Sequence, residues 1–189
     1  NGGAGLIGPK LTNALWNGNR AEAWFEIRYD SNNGSDLNMR PGLAKRRYME
    51  SQMFGLYDNP KNVTLTEAQQ VYRMLQKHRT DIVSYEQQYG VPIDGSTPTQ
   101  GNRIATANTD FATAFSQAGV GNVLSIEQSL NPAKTALLAD LRTRYQNNQE
   151  LVNRLQDSAV VSTNIYLNPH KPTDSYRGSA MDALLYQIG

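Results

Sequence analysis

Residues 64–89 read TLTEAQQVYRMLQKHRTDIVSYEQQY, and this stretch is the strongest indicator of the fold class. Thr64 is followed three residues later by Glu67, which is the pattern of a capping box at the start of a helix. Apolar side chains then recur at the spacing of one helix face, at Val71, Met74, Leu75, Ile82 and Tyr85. The pattern predicts a long amphipathic helix that begins beside Thr64 or Thr66 and ends near residue 89.

Helical spacing extends through most of the remaining chain. It predicts helices over 9–18, 20–29 and 42–57 before the long helix, and over 104–118, 121–129, 131–147, 148–157 and 174–188 after it. Asn131 and Pro132 favour a helix start at that point, because proline fits the first helical position. The only strand-like run is AVVSTNIYL, at 159–167. We therefore expect an all-α fold with long loops and at most a short strand.

The longest polar connection is GVPIDGSTPTQGNR, residues 90–103. A connection of this length predicts either a lobe boundary or a loop that faces a ligand. We expect residues 1–189 to form a single helical domain, with a division into two lobes, 1–90 and 104–189, as the alternative. The chain begins at Asn1 without a methionine, so we expect it to be a fragment of a longer protein.

The amino-acid composition excludes several classes of active site and of binding partner. Lys and Arg number 18 and Asp and Glu number 17, so the chain lacks the excess of positive charge that nucleic-acid-binding domains show. No run is long enough to predict membrane insertion. Cysteine is absent, which excludes a thiol nucleophile, and His78 and His170 are the only histidines, too few for a histidine-based metal site. We expect no metal and no cofactor, and a chemistry based on carboxylates.

Two segments carry a family resemblance. Residues 1–19, NGGAGLIGPKLTNALWNGN, and residues 42–54, GLAKRRYMESQMF, resemble the closing part of phage-type lysozymes, the muramidase family. Between them, RAEAWFEIRY at 20–29 occupies the place of that family's last core helix. The resemblance covers about the first third of the chain and implies a lysozyme-like helical fold. In this alignment the catalytic residues lie before Asn1, and Arg46, Arg47 and Glu50 are structural.

A second alignment with the same family competes with the first. It matches Glu50, Tyr57 and Asp58 to the family's catalytic glutamate and the residues that follow it, and Thr64 or Thr66 to its threonine. The resemblance then implies that Glu50 is the general acid, that Asp58 is the second carboxylate, and that Thr64 or Thr66 holds the attacking water. Glycan cleavage requires such a protonated acid beside a second carboxylate. Tyr29, Tyr57 and Thr66 are the predicted contacts to the sugar.

Each candidate also has a structural interpretation. Arg46 and Arg47 lie four and three residues before Glu50, where they can pair with it on the helix surface. We expect Glu67 to be a capping residue and His78 to lie at the boundary of the core. We interpret Glu22 and Glu26 as a solvated face, and Asp81 and Glu86 as the exposed side of the long helix. We expect Trp16 and Trp24 to be core residues. A connecting strand is the structural interpretation of Asn164, Tyr166 and Asn168.

The sequence thus predicts a glycoside hydrolase of lysozyme type that acts on the glycan strands of bacterial peptidoglycan. A lytic transglycosylase, which uses one glutamate, is a close alternative. A second alternative is a lobe that binds peptidoglycan without cleaving it, and a third is a module recognised by a cognate immunity protein. We expect the protein to be secreted or delivered, and to act in the periplasm or cell wall of a target bacterium.

Overall fold

The structure is a computed structural model that describes residues 8–31, 39–92 and 95–154, apart from the side chain of residue 154. These residues form an all-α fold without a β-strand. The predicted strand at 159–167, the predicted helix at 174–188, His170 and the three residues Asn164, Tyr166 and Asn168 lie outside them. The helices are α1 (Pro9–Trp16), α2 (Arg20–Phe25), a π-helical turn (Glu26–Asp30), α3 (Arg40–Phe54), α4 (Leu65–Tyr89), α5 (Arg103–Asp110), α6 (Ala112–Ala118), α7 (Ile126–Arg144) and α8 (Gln149–Arg154).

The long helix predicted over 64–89 is confirmed as α4. Thr64 is its N-cap, and both hydrogen bonds of the predicted capping box with Glu67 are present. The apolar face predicted from its spacing is largely buried, with Val71, Met74 and Ile82 each at 2% exposure or less. Tertiary packing of this face, rather than helix propensity alone, accounts for the stability of so long a helix.

The break predicted at Asn131 and Pro132 is wrong. Instead of two helices over 121–129 and 131–147, one helix, α7, runs through Pro132. It begins with a capping box between Ser125 and Gln128. This helix start lies before the Asn131–Pro132 pair, at which the prediction had placed it. An interior proline removes one backbone hydrogen bond and normally kinks or ends a helix. Here the packing of α7 against α4 holds the helix across that position.

Three other predicted helices differ in their limits. The helix expected over 42–57 ends at Phe54, because Gly55 follows with a φ of 76°, which only glycine adopts readily. The helix expected over 104–118 divides into α5 and α6 at Phe111, whose φ of −109° and ψ of 14° interrupt the helical conformation. The helix expected over 20–29 changes from α to π geometry at Glu26.

The buried apolar side chains form two clusters. The larger joins α2, α4 and α7 and includes Trp24, Met74 and Leu141. The smaller joins α3, α5 and α6 and includes Tyr48, Ile104 and Phe115. Tyr85 on α4 packs against both. The larger cluster contains residues from before and after the connection at 90–103, so side chains from both sides of that connection share one core.

The described helices show no membrane-spanning candidate, since none combines sufficient length with sufficient apolar character. Within the same residues, no group of three or more His, Asp or Glu side chains is placed to hold a metal ion.

Candidate functional site

Glu50, the predicted general acid, lies on α3 and is held by two arginines. Arg46 Nε donates to Glu50 Oε1 at 2.7 Å, and Arg47 Nη1 donates to Glu50 Oε2. The Glu50 side chain is 27% exposed. Both carboxylate oxygens of Glu50 are therefore occupied by guanidinium N–H groups. This arrangement matches the structural interpretation of the motif and opposes the role of a proton donor.

Asp58 and Thr64, the other two predicted catalytic residues, converge on Glu67 instead of Glu50. The backbone N–H groups of Asp58 and Thr64 donate to the two oxygens of Glu67, at 3.0 and 2.9 Å. Partial burial raises the pKa of Glu67, but the hydrogen bonds from Thr64 and Asp58 outweigh it and hold the pKa below its usual range. The Asp58 side chain is 75% exposed and pairs with Arg20. This cluster therefore serves to fix the start of α4.

The predicted sugar contacts divide into buried and exposed residues. Tyr29 and Tyr57 are 4% and 7% exposed, and both hydroxyl groups form hydrogen bonds inside the protein. The Tyr57 hydroxyl donates to the backbone carbonyl of Ser129, so both tyrosines serve the core. Thr66 is exposed, in the first turn of α4. These placements do not bring the three residues together around one surface.

Glu50 does line an open cleft, and other carboxylates line it too. We call it the charged cleft and define it by six charged side chains from three elements: Lys10 of α1, Glu26 and Asp30 of the π-helical turn, and Arg46, Arg47 and Glu50 of α3. Its volume is about 700 Å³. That size lies in the range of about 300–1,000 Å³ that is usual for small-molecule sites. Of these carboxylates, only Glu50 was among the predicted catalytic residues.

The π-helical turn contributes a carboxyl pair to the lining of the charged cleft. Glu26 and Asp30 are hydrogen-bonded to each other, and Lys10 Nζ lies 2.7 Å from Asp30 Oδ2. Burial, the hydrogen bond to Asp30 and the negative charge of Asp30 raise the pKa of Glu26 from 4.5 to about 7. A half-buried carboxyl that keeps its proton near neutral pH is a recurrent feature of active sites, and so are π-helical turns.

Sequence reasoning missed this pair because it interpreted Glu26 together with Glu22 as a solvated face. That interpretation is wrong, since the Glu22 side chain is 17% exposed and Glu26 is half-buried. The spacing of four residues between Glu26 and Asp30 was visible, but an α-helix and a π-helix orient such a pair differently. The local change of helix geometry therefore had no clear sequence signal.

The other residue-level expectations have mixed outcomes. His78 is confirmed at the core boundary, where its ring stacks on Phe25 with a centroid separation of 3.7 Å. Trp24 is buried as expected, but Trp16 is 89% exposed, so the prediction of a core role for Trp16 is wrong. Asp81 is exposed as expected.

Glu86 was predicted to be exposed, and this prediction is wrong because its exposure is 0%. Its carboxylate accepts hydrogen bonds from the Tyr29 hydroxyl at 2.8 Å and from Arg28 Nη2 at 3.4 Å. Arg28 is itself 1% exposed and also donates to the Leu124 carbonyl at 2.9 Å. A buried charge must be paired, so Arg28 and Glu86 explain each other's burial. This pair links α4, the π-helical turn and the segment before α7.

Comparisons of the chain with family models, with curated proteins and with solved structures gave no match.

Proposed function

We propose that this chain belongs to a peptidoglycan hydrolase of lysozyme type and binds a glycan strand in the charged cleft. The proposal rests on one observation above all. A hydrogen-bonded carboxyl pair, Glu26 and Asp30, lines an open cleft together with basic side chains. Glycoside hydrolysis needs a protonated carboxyl group on one side of the scissile bond and an ionised one on the other; in this proposal Asp30 keeps Glu26 protonated, and Glu50 is the ionised group. The same cleft contains Glu50, the acid implied by the family resemblance.

In this proposal Glu26 replaces Glu50 as the general acid. The pKa of Glu26, raised to about 7 by burial and by Asp30, leaves a proton available for the glycosidic oxygen. Lys10 supplies the positive charge that a carboxylate at Asp30 needs. Glu50, balanced by Arg46 and Arg47, is a fixed negative group that stabilises the positive charge developing on the sugar, while a water molecule attacks the anomeric carbon and the leaving oxygen takes the proton of Glu26. No cofactor takes part in this chemistry.

A second candidate function is binding of the glycan strand without cleavage. It is favoured by the ion pairs of both predicted catalytic carboxylates, Glu50 with two arginines and Asp58 with Arg20.

We propose the same biological setting for both functions. The protein acts on the glycan strands of a target bacterium, in the periplasm or the cell wall, after secretion or delivery. A cognate immunity protein is the partner expected for a toxin of this kind. The charged cleft is the surface that such a partner would need to cover.

The deciding experiment is turnover of purified peptidoglycan by the 189-residue chain. The variants are Glu26→Gln and Glu50→Gln, with Glu150→Gln, an exposed site on α8, as the matched control. Each variant is first checked for an unchanged circular dichroism spectrum and a cooperative thermal unfolding transition. Products are identified by mass, because hydrolysis leaves a reducing sugar and transglycosylation leaves an anhydro-sugar.

The outcomes separate the candidates. We expect Glu26→Gln to abolish product release while Glu50→Gln retains part of it. Loss of release in Glu50→Gln alone would restore Glu50 as the acid. Anhydro-sugar products would identify a lytic transglycosylase. If the unmodified chain sediments with peptidoglycan but releases nothing, the chain is a binding lobe, and the hydrolase proposal for this chain is wrong.

A further inference from the structure

A second polar groove opens beside the charged cleft, between α1, α2 and the middle of α4. We call it the asparagine groove and define it by Asn13, Asn17, Asn19, Glu22, Lys77 and His78. Lys10 and Glu26 line both openings, so the groove adjoins the cleft at the carboxyl pair. Its volume is about 460 Å³.

Two side-chain amides line one wall of the asparagine groove. Asn13 lies on α1 and Asn17 is the C-cap residue of that helix, four residues further on, and both side chains line the groove. Both residues are exposed, and neither side-chain amide makes a hydrogen bond among the described residues. An amide offers two donors and an acceptor, which matches the adjacent hydroxyl groups of a sugar ring. The amide donors and acceptors of this wall are therefore available to a ligand in the groove.

The opposite wall is held rigidly by contacts within the protein. His78 stacks on Phe25, and its Nε2 atom lies 2.9 Å from Glu22 Oε2. Lys77 Nζ donates to the same oxygen at 3.2 Å. The other oxygen, Glu22 Oε1, makes no hydrogen bond among the described residues, so it is available to accept one from a ligand. A polar group that is fixed before binding loses little entropy when the ligand arrives.

We propose that the asparagine groove is a second sugar subsite, which receives a unit of the glycan strand next to the units held in the charged cleft. The amides of Asn13 and Asn17 bind ring hydroxyl or acetamido groups on one side, and Glu22 Oε1 accepts a hydroxyl hydrogen bond on the other. This proposal rests on the proposed function, because it extends the same ligand along the surface. It makes the protein selective for long strands over short fragments.

The test compares the binding of two soluble probes by calorimetric titration, a disaccharide and a hexasaccharide of β-linked N-acetylglucosamine. The proteins are the full chain, the double variant Asn13→Ala/Asn17→Ala, and the matched control Gln146→Ala/Asn147→Ala, which removes two exposed amides from the turn after α7. We expect the full chain to bind the hexasaccharide about tenfold or more tightly than the disaccharide. Loss of two neutral hydrogen bonds should weaken hexasaccharide binding by about tenfold. Disaccharide binding and the control variant should be unchanged.

Two results would overturn the subsite: equal affinity of the full chain for both probes, or an unchanged ratio of the two affinities in the Asn13→Ala/Asn17→Ala variant. Peptidoglycan turnover, measured separately, distinguishes this failure from that of the proposed hydrolase. If the affinity ratio falls as expected but no product is released, the subsite stands and the hydrolase proposal fails. If products are released and the ratio does not change, the hydrolase stands and the subsite fails.

Discussion

The hydroxyl group of Tyr57 donates a hydrogen bond to the backbone carbonyl of Ser129 in α7, at 2.7 Å. The same hydroxyl accepts the backbone N–H of Ala133 at 3.2 Å. These two backbone groups are the ones that pair with each other in a regular helix, four residues apart. Tyr57 thus bridges the helix next to Pro132, where the proline has no N–H to offer. A residue predicted to contact sugar is instead a support for α7.

Removal of the Tyr57 hydroxyl should destabilise the protein. Tyr57→Phe removes a buried hydroxyl group and both of its hydrogen bonds to α7, and we expect a loss of about 1–3 kcal/mol in the free energy of unfolding. Urea unfolding followed by circular dichroism measures it. The control is Tyr145→Phe, because the Tyr145 hydroxyl makes no hydrogen bond among the described residues, and it should change stability by less than about 0.5 kcal/mol. Equal effects of the two substitutions would show that the bridge contributes nothing.

Removal of one partner of the buried ion pair should lower the free energy of unfolding more than removal of both partners. Glu86→Leu leaves the Arg28 guanidinium buried without its counter-charge, and we expect a loss of about 3–5 kcal/mol. The double variant Arg28→Leu/Glu86→Leu removes both charges and should recover part of that loss. The free energies of unfolding of both single variants and the double variant form the measurement. A double variant whose loss equals the sum of the single losses would mean that the two charges act independently.

Gly90 should not tolerate a side chain. A Cβ atom at Gly90 would overlap Glu86 Oε2 and lie 2.6 Å from the Tyr48 hydroxyl, both of them buried groups. We expect Gly90→Ala to lower the unfolding free energy by about 2 kcal/mol or more. Gly121→Ala is the control, since its Cβ would meet nothing within 4 Å and its φ is not positive. We expect that variant to match or slightly exceed the original protein in thermal unfolding.

Glu26 should make the stability depend on pH. Its pKa is about 7 in the folded protein against 4.5 for the free side chain, so the folded state binds its proton more tightly. Between these two values the unfolded chain loses the proton first, and stability therefore falls as the pH rises. Above the folded pKa the full loss is present. For a half-buried group we discount the shift for solvent screening and expect a loss of about 1 kcal/mol.

Glu26→Gln tests this relationship. The amide can still donate a hydrogen bond to Asp30, but it cannot ionise. We expect the variant to be as stable as the original protein near pH 4 and about 1 kcal/mol more stable near pH 8. Unfolding free energies at a series of pH values give the two curves, with Glu150→Gln as the exposed control. Parallel curves for Glu26→Gln and the original protein would place the pKa of Glu26 at its ordinary value.

Local signals in the sequence were sufficient for the helical class and for the limits of α4. The capping box at Thr64 and the apolar spacing of α4 are such signals, because they depend on neighbours within one or two turns. Charge pairing at Arg46, Arg47 and Glu50 was foreseen for the same reason, since residues three and four apart meet on any α-helix. The absence of cysteine likewise removed whole classes of chemistry without reference to the fold.

Packing of the helices determines which polar side chains are buried and which meet. Glu86 appears exposed in the pattern of α4, but Arg28, 58 residues earlier in the chain, provides the charge that allows its burial. Tyr57 and Ser129 are 72 residues apart, so the support of α7 at Pro132 had no local signal. The charged cleft combines Lys10, Glu26 and Glu50 from three separate elements. Such contacts form only when the helices pack against each other, because they join residues that are distant in the sequence. No single segment can therefore stabilise them by itself.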